Sequence, residues 1–346
     1  MGIKNRRPTL RDIASAAGVS KSTVSLVLHE SPKVSSETRA KVHRILKEYN
    51  YLPNVSAKNL AKGKTWTIGL ITKFFHHEYL EYSYFGEILG GILDVLSGMG
   101  YNLMLYNLSA SFNLMIDGLI LLSIDTDSYL SEKIYRLDIP TIFVNRQNSN
   151  VNYVTTDFLG GGIIGTKYLL DLGHDRIGFI SGPLENIPAI DRLKGYKMAL
   201  TSRNIKIDEE LIIIVPFYND RAGYSAIEFL MNLKSPPTAI FISSHNMALG
   251  ILQYLKEKGY KIPNDISILC FDDDRSFSIT EPPLTVLRQN GYEIGLRTAQ
   301  SIIRLVEGNA SDRVQIVLPA ELVVRGSCGR RVKDNVENKV ISTELQ

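Results

Sequence analysis

Several features are scarce or missing in this 346-residue chain, and each absence removes a class of function. No run of about 18 or more apolar residues occurs, the length a helix needs to cross a bilayer, so no membrane role is expected. Cysteine is limited to Cys270 and Cys328, too few and too far apart for a disulfide framework or a metal knuckle, and both read as reduced thiols. The N-terminal "MGIKNRRPTLRD" is basic but leads into no apolar core segment and no small-residue cleavage site, so no export signal is read and the chain is expected in the cytoplasm. No Ser/His/Asp order, metal-ligand cluster or carboxylate pair stands out, so no catalytic site, cofactor or metal is expected. What remains is 44% apolar and 22% charged, the composition of an ordinary globular protein, in a chain long enough for two or three domains of about 100 to 200 residues each.

The net charge of +3 hides a lopsided split. Residues 1–64 hold 13 Lys and Arg against four acids, a net of +9, which leaves the rest of the chain at −6. A compact basic head on a mildly acidic body suits phosphate-backbone binding, though a charge run alone also describes a solvated face.

The head reads as helices. In "TLRDIASAAGVS", Leu10, Ile13, Ala14 and Ala17 recur at helical spacing between Thr9, an N-cap, and Gly18, a C-cap. "SKSTVSLVLHE" opens on Ser20 as cap, buries Val24, Val27 and Leu28, and leaves Lys21, Ser22, Ser25 and Leu26 facing out. The pair has the helix, Gly-containing turn and helix of a DNA-reading unit, whose second helix lies in the major groove. "SSETRAKVHRILKEYNY" gives a third helix, capped by Ser35 or Ser36, with Val42, Ile45, Leu46 and Tyr49 closing a small core. In "LPNVSAKNLAKGK", Pro53 and Asn54 start a helix of about two turns that Gly63 ends, marginal in isolation. Its Leu60 reads either as a wedge between base steps of a minor groove or as a cover on the next domain.

The stretches "TLRDIASAAGVSKSTVSLVL", "PKVSSETRAKV", "YLPNVSAKNLAKGKT", "PPTAIF", "MALG" and "PPLTVLRQ" together resemble the lac/gal repressor family, over roughly residues 8–329. The resemblance implies a homodimeric, ligand-controlled transcription regulator whose hinge helices pair in the minor groove of double-stranded operator DNA, with Leu60 on the intercalating position and Lys21 and Ser22 on the variable base-reading pair. The DNA-contacting set it implies is Thr9, Ser20, Lys21, Ser22, Thr23, Ser25, Leu26, Ser35, Thr38, Asn54, Ser56, Ala57 and Leu60. Leu26 departs from the pattern. Family members typically carry an arginine there that forks onto a guanine, so this chain's operator should differ at that base, or Leu26 touches a thymine methyl.

From Trp66 onward, short apolar runs alternate with helical stretches: "TIGLIT", "YNLMLYN", "DGLILLS", "TIFVN", "RIGFISG", "LIIIV", "TAIFIS" and "SILCFD". That alternation predicts α/β architecture with parallel doubly wound sheets, and ligand sites at the carboxyl ends of strands. The expected organisation is a helix-turn-helix head over 1–50, a hinge helix over 51–64, two lobes of periplasmic-binding-protein type over 65–329, and a disordered tail over 330–346. One lobe is read over about 65–158 and 288–318, the other over 159–287 and 319–329. Polar or aromatic groups at strand ends, which also fall on the family's effector positions, form the candidate effector site: Asn145, Arg192, Tyr218, Ser244, Asp272 and Gln289, with Phe85 lining a reshaped aromatic lid in "KFFHHEYLEYSYFGEI". Bland readings stand beside these: Arg192 as a helix cap, Asp272 as a turn residue next to Asp273 and Asp274, and His245 as a structural histidine.

"GGGIIG", residues 160–165, fits the G-x-G-x-x-G pattern of nucleotide sites, or glycines packing a helix closely against a sheet. The preceding "NYVTTDFL" reads as polar rather than as a buried strand. Between "YNLMLYN" and "DGLI" only "SASFNLMI" intervenes, so a helix that in relatives contributes to the dimer contact is expected to be clipped. The resemblance points to a sugar or sugar phosphate as effector, with a purine or a protein co-repressor as the other readings within the family. A sugar-binding solute receptor without DNA function is the reading from a different class.

Overall fold

The structure is a computed structural model that describes residues 8–28, 30–51, 64–72, 83–106, 115–123, 138–147, 150–185, 187–309 and 313–331. The chain divides into two compact units between Thr65 and Trp66. The proposed hinge-helix residues 52–63 and the tail residues 332–346 lie outside the described residues, as do 73–82 of the proposed lid and 107–114 of the proposed clipped crossover.

The first unit holds three helices, α1 (Leu10–Ala17), α2 (Lys21–Leu28) and α3 (Ser36–Glu48). Thr9 caps α1 through a reciprocal pair in which the Asp12 side chain accepts from the Thr9 backbone, and Gly18 ends the helix in the left-handed conformation (φ 63°). Ile13, Ala14, Ala17, Val24, Val27, Val42 and Leu46 form its core. Tyr49, expected in that core, is instead exposed. The helix stops at Glu48, so Tyr49 leaves the helical stripe, while Tyr51 returns to the core as its amide donates to the Leu46 carbonyl.

The second unit has two six-stranded sheets. β1 (Thr67–Thr72), β2 (Asn102–Tyr106), β3 (Gly118–Leu122), β4 (Thr141–Val144) and β5 (Tyr153–Thr156) belong to the first lobe. β6 (Ile177–Ser181), β7 (Ile212–Ile214), β8 (Ala239–Ile242), β9 (Ser267–Phe271) and β10 (Thr285–Arg288) belong to the second. The chain then returns to the first lobe for β11 (Gln315–Leu318) and to the second for β12 (Glu321–Val323). The strand orders are β11-β5-β4-β3-β1-β2 and β12-β10-β9-β8-β6-β7, with all pairs parallel except β10 with β12. Every apolar run quoted above forms a strand, because runs of Val, Ile, Leu and Phe suit strands covered on both faces.

β5 corrects the sequence reading. "NYVTTDFL" contains a fully buried strand between β4 and β11. Its threonines are β-branched and fit a pleated strand, and the Thr156 hydroxyl is satisfied by Gln289. The tail also begins later than expected, since the Arg331 amide donates to the Leu172 carbonyl and its guanidinium bonds Asp175.

Glycines set how the helices pack. α4 (Ser83–Gly98), α5 (Phe158–Asp171), α6 (Ile187–Ser202), α7 (Asp220–Met231), α8 (Ala248–Glu257) and α9 (Gly291–Val306) cover the sheets. The "GGGIIG" residues lie inside α5, where a Cβ on Gly162 would come within 2.5 Å of the Arg192 carbonyl oxygen and one on Gly165 within 2.7 Å of Leu287. A Cβ on Gly195 would overlap the Leu159 carbonyl oxygen, so α5 and α6 meet backbone to backbone. Of the two readings of that motif, packing is the one its glycines fit. The same device joins α4 to α9 at Gly91 and Gly295.

Because backbone cannot yield as a side chain can, Gly195→Val should destabilise the body by at least the usual overpacking cost of about 1–3 kcal/mol. Denaturant melts of the two proteins check this, and an unchanged midpoint would contradict close α5–α6 packing.

Candidate functional site

In the head, Ser20 caps α2, its Oγ accepting from the Thr23 amide at 3.0 Å, and the Ser20, Ser22 and Thr23 hydroxyls bond one another at 2.6 and 2.8 Å. Lys21, Ser22 and Leu26 are exposed on α2, while Thr23 and Ser25 are half-buried. Leu26, at 38% exposure, is an apolar side chain offered to solvent on the helix whose Val24 and Val27 are fully buried. Ser35 caps α3 through the Thr38 amide, and its hydroxyl donates to Thr38 Oγ1 at 2.9 Å. Of the remaining proposed DNA contacts, Thr9 is committed to its cap, and Asn54, Ser56, Ala57 and Leu60 fall outside the described residues.

In the body, a polar cluster forms where the carboxyl ends of the strands of both lobes meet. Asp272 follows β9 in the left-handed region (φ 77°), and Asn145 follows β4 likewise (φ 61°). Such backbone is sparsely populated by residues other than glycine and persists where its surroundings enforce it. One Asp272 oxygen accepts from the Gln289 amide and the other faces His245 Nδ1 at 3.5 Å. Gln289 Oε1 accepts from the Thr156 hydroxyl at 2.8 Å, which ties the first lobe to the second. Arg192, buried on α6, lies over the rings of Phe158 (4.8 Å) and Phe271 (4.1 Å) and donates to the Ser243 carbonyl, while its Nε has no hydrogen-bond partner. Burial pushes the Asp272 carboxyl up, but Arg192, His245 and Gln289 outweigh it and hold the group below its ordinary range.

Asp273 and Asp274 are held low in the same way against burial. Asp273 bonds both Arg288 and Arg325, and Asp274 takes the Ser276 amide and hydroxyl. Ser83, the first residue of α4, donates to the Asp273 carbonyl at 3.3 Å, a second bond between the lobes.

Arg192, Asp272 and Gln289 are thus brought together, with Asn145 linked to them through Tyr84. Ser244 is buried after β8 beside His245. Tyr218 is half-buried, and its ring fills the place a Cβ on Gly182 would take after β6. Phe85 does not line the cluster: it is buried in the first-lobe core with Ile88, Ile92 and Leu96. The residue that faces the cluster is its neighbour Tyr84, whose hydroxyl donates to Asn145 Oδ1 at 2.9 Å and whose phenol feels both Asp272 and Arg192. The spacing Phe85, Ile88, Ile92, Leu96 marks the buried stripe of α4 and turns Tyr84 off it, so that signal was present in the sequence. Thr156, in the polar-looking strand β5, is the other cluster residue absent from the expected set. Among the described residues no group of His, Cys, Asp and Glu is arranged to hold a metal, and no helix is long and apolar enough to cross a membrane.

This pair of parts, a helix-turn-helix head and a two-lobed body with a polar cluster at the strand ends, defines the class of ligand-responsive DNA-binding regulators. Residues 9–54 match the family of bacterial regulatory proteins, lacI family, and residues 166–328 match a periplasmic binding protein-like domain. The chain is 30% identical to the HTH-type transcriptional regulator CelR of Thermobifida fusca, over 94% of this chain and 99% of that one. Among solved structures it resembles a CelR–cellobiose complex (29% identity, 93% of this chain and 100% of that chain, TM-score 0.71). It also resembles a lac repressor dimer bound to operator and the anti-inducer ONPF (27% identity, 94% of this chain and 100% of that chain, TM-score 0.83). The chain belongs to the lacI family of transcription regulators.

The depressed carboxyls give stability a pH dependence with a definite sign. A carboxyl held below its unfolded value of about 3.9 contributes stability that is complete above that pH and is lost as pH falls through the folded value. Wild type should therefore lose stability steeply below about pH 4, and Asp272→Asn should lose less over the same range. Urea midpoints measured against pH check this, and identical slopes for the two proteins would contradict it.

Proposed function

We propose that the protein is a homodimeric, cytoplasmic repressor that binds a pseudo-palindromic operator through its head and releases or tightens its grip when a small hydroxylated metabolite, a sugar or sugar phosphate, occupies the cluster between the lobes. It acts by binding, without turnover. The observation that carries this reading is the joining, in one chain, of a helix-turn-helix head that is rich in Lys and Arg and exposes Lys21, Ser22 and Leu26 on α2 with a buried charged cluster where two lobes, connected at three crossings of the chain, meet. Support also comes from relatives: a CelR structure is described as a cellobiose complex, and a lac repressor structure as a dimer on operator. The export-type receptor reading is disfavoured by the head, which such a receptor has no use for.

The mechanism needs a ligand that prefers one arrangement of the lobes, because a ligand with equal affinity for both shifts nothing. Groups from both lobes meet at Gln289–Thr156 and at Ser83–Asp273, so a ligand among them acts on that preference directly. On the DNA side, Lys21 and Ser22 read bases, the basic head supplies salt-dependent phosphate contacts, and Leu26 meets a non-guanine base, with a thymine methyl as its natural partner.

The test is selection of bound duplexes from a randomised pool by the purified protein. An enriched palindrome without guanine at the base facing Leu26 is expected, and Leu26→Arg should shift that one position toward guanine, by about 1–3 kcal/mol of discrimination. No enrichment at moderate salt would overturn the operator reading.

A further inference from the structure

The charges around the cluster discriminate between ligands that share the same hydroxyls. A cavity of about 520 Å³, within the usual range for small-molecule sites, opens beside Tyr84 and Asp272, and its described lining holds five carboxylates against three arginines. Two of those arginines are already committed. Arg288 and Arg325 each bond Asp273 through two nitrogens or both oxygens, at 2.7–3.0 Å. The third, Arg275, stands in the field of Glu87 across the cavity. Outside that lining, the Arg192 guanidinium sits in the field of the buried Asp272 carboxylate, so the pair is close to neutral.

Part of the polar backbone at the junction is taken up by the chain's own side chains. Asp274 accepts from the Ser276 amide at 2.8 Å, and Asn290, at the cavity wall where α9 begins, accepts from the Glu293 amide at 3.0 Å. A phosphate arriving here would have to displace a carboxylate or lie beside several.

We infer that the junction between the lobes takes an uncharged, hydroxyl-rich ligand and turns away its phosphorylated counterpart; this rests on the reading of the protein as an effector-controlled regulator and narrows its effector class. The recognition groups fit that chemistry. Asp272 offers carboxylate lone pairs beyond those used by Gln289 and His245, and Arg192 Nε is a buried donor with no protein partner. A hydroxyl both donates and accepts, so vicinal hydroxyls can satisfy the carboxylate and the guanidinium together, whereas a phosphate at pH 7 brings acceptors and negative charge only. Rejection by like charge is a general source of specificity where the attractive contacts of two ligands are the same.

The test is calorimetric titration of the full-length protein with matched pairs, glucose against glucose 6-phosphate and ribose against ribose 5-phosphate, together with cellobiose. At least one neutral sugar should bind, with any matched phosphate weaker by about tenfold or more. Asp272→Asn, checked for folding by circular dichroism, should lose affinity for the neutral sugar and narrow the gap to the phosphate; if that variant does not fold, the wild-type comparison decides alone. A phosphorylated member that binds as tightly as its neutral partner, or a panel in which no neutral sugar binds, overturns the inference. Operator binding scored in parallel separates the two claims: a sugar preference without any specific DNA binding counts against the regulator reading and leaves the ligand inference standing.

Discussion

A carboxylate buried where two lobes meet is costly unless it is paired and hydrogen-bonded, and much of the body is arranged to satisfy the one on Asp272. Gln289 reaches it from the strand that leaves the second lobe, His245 from the loop after β8, and Arg192 from α6. Gln289 is in turn fixed by Thr156 of the first lobe. Satisfying one charge therefore draws on both sheets. A ligand that binds Asp272 is one residue away from the Gln289–Thr156 bond that spans the lobes, which makes the group a natural point of control.

The rest of the architecture keeps that junction stiff on either side. Glycine-to-backbone contacts press α5 on α6 and α4 on α9 so closely that each lobe behaves as one packed block. The described chain passes between the lobes after β5, β10 and β11, and the first two of those crossings carry Thr156 and Gln289. Rigid lobes about a short junction convert a small change at the cluster into a displacement of whole domains.

Much of this was readable from residues. Strands built from Val, Ile, Leu and Phe announced themselves, as did the capped helices of the head, because burial on both faces and cap geometry leave direct marks in composition. Two features did not. β5 was obscured because Thr155 and Thr156 are polar, yet one of those hydroxyls serves the cluster; local rules fail where function intrudes. Phe85 is expected to line the lid, but the stripe it shares with Ile88, Ile92 and Leu96 places it in the first-lobe core, and its neighbour Tyr84 is the one that reaches Asn145. The glycines at 160–165 carry a nucleotide-like pattern, but the packing reading that stands beside it is the one they fit: Gly162 meets the Arg192 backbone, and Gly161 and Gly165 meet side chains from the sheet. Asp272 itself was legible as a strand-end acid, but its partners, drawn from far apart in sequence, were only partly so.

The central claim is that a ligand at the lobe junction and operator DNA at the head are energetically coupled. Coupling between two binding sites is reciprocal by thermodynamic necessity. The most direct measurement is the affinity of the full-length protein for its best neutral sugar, taken with and without saturating operator, set beside its operator affinity with and without saturating sugar. The account predicts that both affinities change, by the same factor and in the same direction. Two affinities that are each indifferent to the other ligand would contradict it.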